Sequence, residues 1–188
     1  MKYNPQIHHR RSIRLKGYDY SQAGAYFITI CTKYMNHLFG EVVNEEMILN
    51  EMGQIAFNEW LKTSKIRPNV SLDVFEIMPN QMHGIIIINE DEISTGESYS
   101  PNNDTEELNS PAPMPGSPFR SPANNIGAIV RGYKSSVTKQ INLLNYDGSA
   151  WHRNYYEPII RNEQSYQRIS DYIINNAKSW RTDKFYTK

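Results

Sequence analysis

Two runs rich in β-branched and apolar residues, 72–78 and 82–88, are separated by little more than Pro79-Asn80. Strands joined by so short a connection can only run antiparallel, so the pair predicts a β-hairpin. The second run, Met-His-Gly followed by four isoleucines, is apolar enough to be buried on at least one face. Residues 25–32 (AYFITICT) predict a further buried strand. Residues 47–63 place Ile48, Met52, Ile55, Ala56 and Trp60 at helical spacing, which predicts an amphipathic helix. Further along, 126–144 predicts a helix, and 150–159, with Trp151, Tyr155 and Tyr156, a fourth strand. A last helix is expected from Glu163 to Asn176, with Asn162 as its N-cap and Glu163 at its positive end. The order strand, helix, strand, strand, helix, strand, helix predicts an α+β fold. Its form would be a ferredoxin-like antiparallel sheet of about four main strands with helices packed on one side.

Charge divides the chain unevenly. The sequence of 188 residues has 20 basic and 20 acidic side chains, but 89–124 contains seven of the acids and one base, Arg120. The remainder carries 19 bases against 13 acids, a balance that favours polyanionic partners. Six of the ten prolines also fall in 89–124, among Ser, Asn and acids. Such a segment cannot bury enough surface to offset its ordering entropy, so it is expected to be a flexible acidic insert within a single domain spanning 1–188. The N-terminal arm holds Arg10, Arg11, Arg14 and Lys16, which suit either a solvated tail or phosphate contacts. One cysteine, Cys31, excludes a disulfide framework and a Cys-based zinc site. No apolar run approaches the roughly 20 residues of a membrane span, and no secretory leader is visible, so a cytoplasmic protein without a membrane partner is expected.

Two places carry potential chemistry. Side chains alternate along a strand, so Gln81 and His83 share a face about 7 Å apart while Met82 points to the core. An amide oxygen and an imidazole nitrogen could share one divalent ion there, with Gly84 keeping that face open; a lone strand histidine can equally be structural. On the last helix Tyr166, Ile169, Ile173, Ala177 and Trp180 form an apolar stripe. Arg168, Tyr172 and Asn176 stand four apart along its border, where a rim tyrosine and a capping amide would fit as well as a site. Trp151 and His152 are expected to pack, and Glu157 to lie on a site rim or make a structural hydrogen bond.

Taken together these stretches resemble the HUH-superfamily single-tyrosine transposases, in particular the REP-associated branch. The carrying segments are the arm at 10–16, Tyr-Phe-Ile-Thr-Ile at 26–30, and Ile-Met-Pro-Asn-Gln-Met-His-Gly at 77–84. They continue with Asn-Tyr-Tyr-Glu-Pro-Ile-Ile-Arg-Asn at 154–162 and Asp-Tyr-Ile-Ile-Asn-Asn at 171–176. The resemblance covers nearly the whole chain except 89–124. It implies that Tyr172 is a nucleophile that becomes joined to the 5′ phosphate of single-stranded DNA. It implies that His83, Gln81 and Asn176 hold Mg²⁺ or Mn²⁺. DNA with hairpin or palindromic sequence would be the partner, met by Arg10, Arg11, Arg14, Lys16, Arg131, Lys134 and Arg161, with the protein acting as a monomer or homodimer. Two positions depart from the family: Gln81 stands where the first of two histidines is usual, and Pro158 where His is frequent. A catalytically weakened or inactive hairpin-binding protein of the same fold is therefore the alternative. A metal-independent RNA-processing endonuclease is a third reading.

Overall fold

The computed structural model describes residues 17–90 and 125–187. The basic residues Arg10, Arg11, Arg14 and Lys16, and the insert from 91 to 124, lie outside them. Four strands form an antiparallel sheet in the order β4-β5-β1-β6, with β1 at Gly24–Cys31, β4 at Val70–Met78, β5 at Gln81–Ile88 and β6 at Ile159–Ile160. β4 and β5 are the hairpin that the short connection requires, with Met78 paired to Gln81 across Pro79-Asn80. β5 also pairs with β1 along its whole length, from Gly24 opposite Ile88 to Cys31 opposite Gln81.

The period of two divides the sheet into two different faces. Tyr26, Ile28 and Ile30 of β1 and Met82, Ile86 and Ile88 of β5 belong to one hydrophobic core. Helices α1 (Glu51–Ile66) and α2 (Ile126–Asn142) cover that core with Ala56, Trp60, Ile129, Val130, Tyr133 and Val137. Burying such side chains contributes about 1.5–3 kcal/mol each, and it fixes which face of β5 is left for Gln81 and His83. The third helix, α3 (Glu163–Ile174), lies on the His83 side, where Tyr172 meets the imidazole. The antiparallel α+β arrangement is as expected, but the helices are not all on one side. α3 lies on the second face, where Ile173 is buried outside the core that α1 and α2 cover.

Three boundaries differ from the sequence reading. Residues 47–49 begin no helix; they form β3 (Glu46–Leu49), paired with β2 (Gly40–Val43). Asn44 and Glu45 both adopt positive φ, 51° and 67°, as a two-residue hairpin turn requires. The Asn50 side chain then accepts from the Gly53 N–H at 2.9 Å and starts α1. The fourth strand is much shorter than 150–159: besides β6, only isolated bridges join Trp151 to Thr32 and Tyr156 to Thr29. Pro158 has no N–H to offer a ladder, although its carbonyl still accepts from Phe27 at 2.9 Å. α3 stops before Asn176, with Asn175 as its C-cap.

Gly84 is also corrected. It does not open the His83 face, because it points the other way, into the core. A Cβ there would stand 2.8 Å from Trp60 Cζ2 and 3.0 Å from Phe75 Cβ. Trp60 is fully buried and has no free direction in which to yield. Gly84→Ala should therefore lower the unfolding free energy by about 1–3 kcal/mol, read as a lower midpoint in urea titration at unchanged slope.

Candidate active site

The site lies between the second face of the sheet and α3. Register places Glu76, His83, Thr29 and Tyr156 in one row across four neighbouring segments, with Met78, Gln81 and Cys31 in the next. His83 is completely buried, and its Nδ1 lies 2.8 Å from Thr29 Oγ1. Phe27 stacks on the imidazole with ring centroids 5.6 Å apart, and Phe185 closes another side at 5.8 Å. Tyr172 reaches in from α3, its hydroxyl 3.2 Å from His83 Nε2.

The same hydroxyl donates to Asp183 Oδ2 at 2.7 Å. Asp183 was not singled out by sequence; it follows a single 3-10 turn at Trp180–Thr182 that brings the chain back to the sheet. Its Oδ2 also accepts from Asn176 Nδ2 at 3.0 Å, and its Oδ1 from the Phe185 N–H at 2.8 Å. Further on, Asn80 Nδ2 donates to the Phe185 carbonyl at 2.9 Å, clipping this C-terminal segment to the β4–β5 turn.

Counting protons assigns the histidine tautomer. Tyr172 has one hydrogen, and Asp183 takes it. The contact with His83 Nε2 must then use a hydrogen on that nitrogen, which leaves Nδ1 to accept from the Thr29 hydroxyl. Burial drives the imidazole toward neutrality, with its pKa lowered to about 3. The Tyr172 phenol is pushed above its ordinary value, first by burial and then by the adjacent Asp183. Burial works to raise the Asp183 carboxyl, but the hydrogen bonds from Tyr172, the Phe185 N–H and Asn176 outweigh it and hold the group below the usual carboxylate range.

Several buried polar atoms here have no protein partner: both amide atoms of Gln81, Oδ1 of Asn176 and Oγ of Ser170. A buried polar group left unpaired costs about 1–3 kcal/mol, so the Gln81 and Asn176 oxygens are suited to a ligand. Among the described residues no three His, Cys, Asp or Glu side chains form a metal-binding group. A cation here would need those two amide oxygens beside the imidazole, a set whose hardness fits Mg²⁺ or Mn²⁺. A cleft of about 430 Å³ leads to Tyr172, lined also by Phe27, Arg168, Thr182, Asp183 and Lys184.

The remaining candidates are spread more widely. Arg131 and Arg161 are exposed. Lys134 is turned inward, its amine 2.9 Å from the His152 carbonyl and 3.4 Å from those of Arg153 and Asn154. The half-buried amine, its pKa lowered by burial to about 8, holds these three carbonyls together. Trp151 packs in the core as expected, but His152 is exposed, and Glu157 is buried instead of rimming the cleft.

No family model matches the chain. Its fold is that of the tyrosine transposases: a solved structure of a REP-associated tyrosine transposase bound to a REP hairpin superposes with a TM-score of 0.55. The two share 18% identity over 88% of this chain and 74% of the other. In sequence the chain is 41% identical over 187 residues to an uncharacterized protein of Haemophilus influenzae (strain ATCC 51907 / DSM 11121 / KW20 / Rd). That match spans 98% of this chain and 97% of the relative, and the chain belongs to the same family as that protein. Among the described residues no helix is long and apolar enough to cross a membrane.

Neutral, buried His83 makes stability depend on acid. Its folded pKa of about 3 lies below the ordinary imidazole value of 6.5, so the unfolded chain binds the proton more readily. Stability from this group is complete above pH 6.5 and is lost as pH falls toward 3. The unfolding free energy should fall by up to about 1.4 kcal/mol per pH unit in that window from His83 alone. Chemical denaturation of His83→Gln should give a shallower slope over the same range.

Proposed function

We propose that the protein cleaves and rejoins single-stranded DNA through a 5′-phosphotyrosine intermediate at Tyr172, in transposition or mobilisation of palindromic elements. The observation that carries this reading is the Tyr172 hydroxyl at 3.2 Å from His83 Nε2, at the end of an open cleft. The transposase fold, and the hairpin bound by its structural relative, agree with it.

In the reaction the Tyr172 oxygen attacks phosphorus and a bond forms between them. The bond to the 3′ oxygen breaks, the phenolic proton leaves, and a proton is taken up by the departing oxygen to give a free 3′ hydroxyl. The phosphotyrosine bond retains the energy of the broken link, so a second 3′ hydroxyl can reverse the step without ATP. Arg168 stands one helical turn before Tyr172 and lines the cleft with Lys184, where both can meet backbone phosphates. Phe27 and Phe185 fix the imidazole plane, and Thr29 accepts or donates at Nδ1 as the tautomer demands. His83 Nε2, the Gln81 amide oxygen and Asn176 Oδ1 would hold Mg²⁺ or Mn²⁺. When bound, the ion would polarise the scissile phosphate and stabilise its developing charge. Burial and the hydrogen bond to Asp183 both favour the protonated phenol, so its proton must be given up during attack.

Incubation with hairpin-bearing single-stranded DNA and Mn²⁺ should give a covalent protein–DNA adduct that resists denaturing electrophoresis and is absent in Tyr172→Phe. Retained hairpin binding without an adduct would instead support the binding-only protein of this fold. Gln81→His should lower the Mn²⁺ concentration needed for half-maximal adduct formation by roughly 10-fold or more, because imidazole is a better donor than a neutral amide.

A further inference from the structure

We infer that Asp183 is the anionic ligand of the cation site at His83, Gln81 and Asn176, and that its carboxylate gives up the Tyr172 hydroxyl when the cation binds. The inference deepens the function proposed above and rests on it for the choice of cation.

The first argument is charge. An imidazole that ligates a cation is neutral, and Gln81 and Asn176 are amides, so none of the three offsets a divalent ion in a buried site. Leaving such a charge uncompensated is strongly unfavourable. A second histidine at 81 would not alter that balance, but it would offer a stronger donor; with Gln81 in its place, the demand for a carboxylate is greater. The second argument is position. Asp183 Oδ2 touches the hydroxyl that touches His83 Nε2, and it accepts from the amide of Asn176. Asn176 therefore has its Nδ2 bonded to the carboxylate while its buried Oδ1 has no partner. One amide thus links the anion to an unused oxygen donor.

Glu76 is the competing acid. It is paired with His83 across β4 and β5 and so stands on the same face. Among the described residues, however, no hydrogen bond joins it to Tyr172, Asn176 or Gln81, whereas Asp183 is bonded to both Tyr172 and Asn176.

The mechanism of exchange follows from the tautomer. With no cation, Nε2 carries the hydrogen and the tyrosine proton satisfies Asp183. For Nε2 to become a ligand the hydrogen must reside on Nδ1, where Thr29 Oγ1 can turn from donor to acceptor. That same change removes the hydrogen bond from His83 to the Tyr172 oxygen. The carboxylate turning to the cation removes the other, so filling the site frees the nucleophile.

The test measures Mn²⁺ binding without DNA, by electron paramagnetic resonance of free Mn²⁺ and by the Mn²⁺-dependent rise in Tm. Asp183→Asn should weaken binding at least about 10-fold relative to wild type, while Tyr172→Phe should bind as tightly as wild type or more so. Equal affinity in Asp183→Asn and wild type would overturn the inference, as would absence of Mn²⁺ binding by wild type. Should Asp183→Asn not fold, Asp183→Cys in a Cys31→Ser background decides: a thiolate there should shift preference from Mn²⁺ to Cd²⁺ and give a sulfur-to-cadmium charge-transfer band that Cys31→Ser alone, which has no thiol, lacks. No shift and no band would equally overturn it. Failure of the DNA adduct with intact, Asp183-dependent Mn²⁺ binding would count against the proposed reaction and leave the ligand assignment standing.

Discussion

The pairing of β1 with β5 in the centre of the sheet is the constraint from which the site follows. It sets Thr29 opposite His83 and so gives the buried imidazole a hydrogen-bond partner from the sheet. The same pairing delivers Ile28, Ile30, Met82 and Ile86 to the other face, where α1 and α2 bury them. A slip of one residue would exchange the two sets, placing His83 in a hydrocarbon core and isoleucines against Tyr172. Fold stability and site geometry are thus specified by one register.

On that base, the site is assembled from parts far apart in the chain. β5 supplies the histidine and the glutamine, α3 the tyrosine, the turn after α3 an asparagine, and the C-terminal segment the carboxylate. The phenol is the junction: it is bonded on one side to a neutral imidazole and on the other to an anion. This arrangement holds Tyr172 in place while keeping its proton on. The buried amide oxygens of Gln81 and Asn176 have no partner within the protein.

Much of this was legible in the sequence because it depends on local periodicity. Alternation along 81–83 places Gln81 and His83 on one face and Met82 in the core; the four-residue spacing aligns Arg168, Tyr172 and Asn176 on one border, and only the family resemblance joins Tyr172 to His83. What escaped depends on contacts without a local signature. Gly84 was assigned to the wrong face, although the alternation that placed His83 also places its neighbour opposite. The helix expected from 47 was drawn too long, because Ile48 continues the apolar spacing while Asn50, the actual cap, looks like any polar surface residue. Asp183 has no periodic neighbour at all; the aromatic residues of the polar tail, Trp180 and Phe185 among them, are the hints that the chain returns to the sheet. Lys134 looked like a surface cation and is an anchor for carbonyls, a distinction that charge counts cannot make.

The acidic stretch departs from the sheet at a point that matters. β5 begins at Gln81 and ends at Ile88, so Asn89 leaves from the end remote from the β4–β5 turn, five residues or about 17 Å beyond His83. Asn89 is still tied to Asn69, and the chain resumes at Ile126, whose N–H is bonded to the Tyr20 carbonyl. Both anchor points belong to the scaffold and neither to the cluster of His83, Tyr172 and Asp183. A reporter domain grafted between them would therefore join the fold at the end of β5 remote from His83.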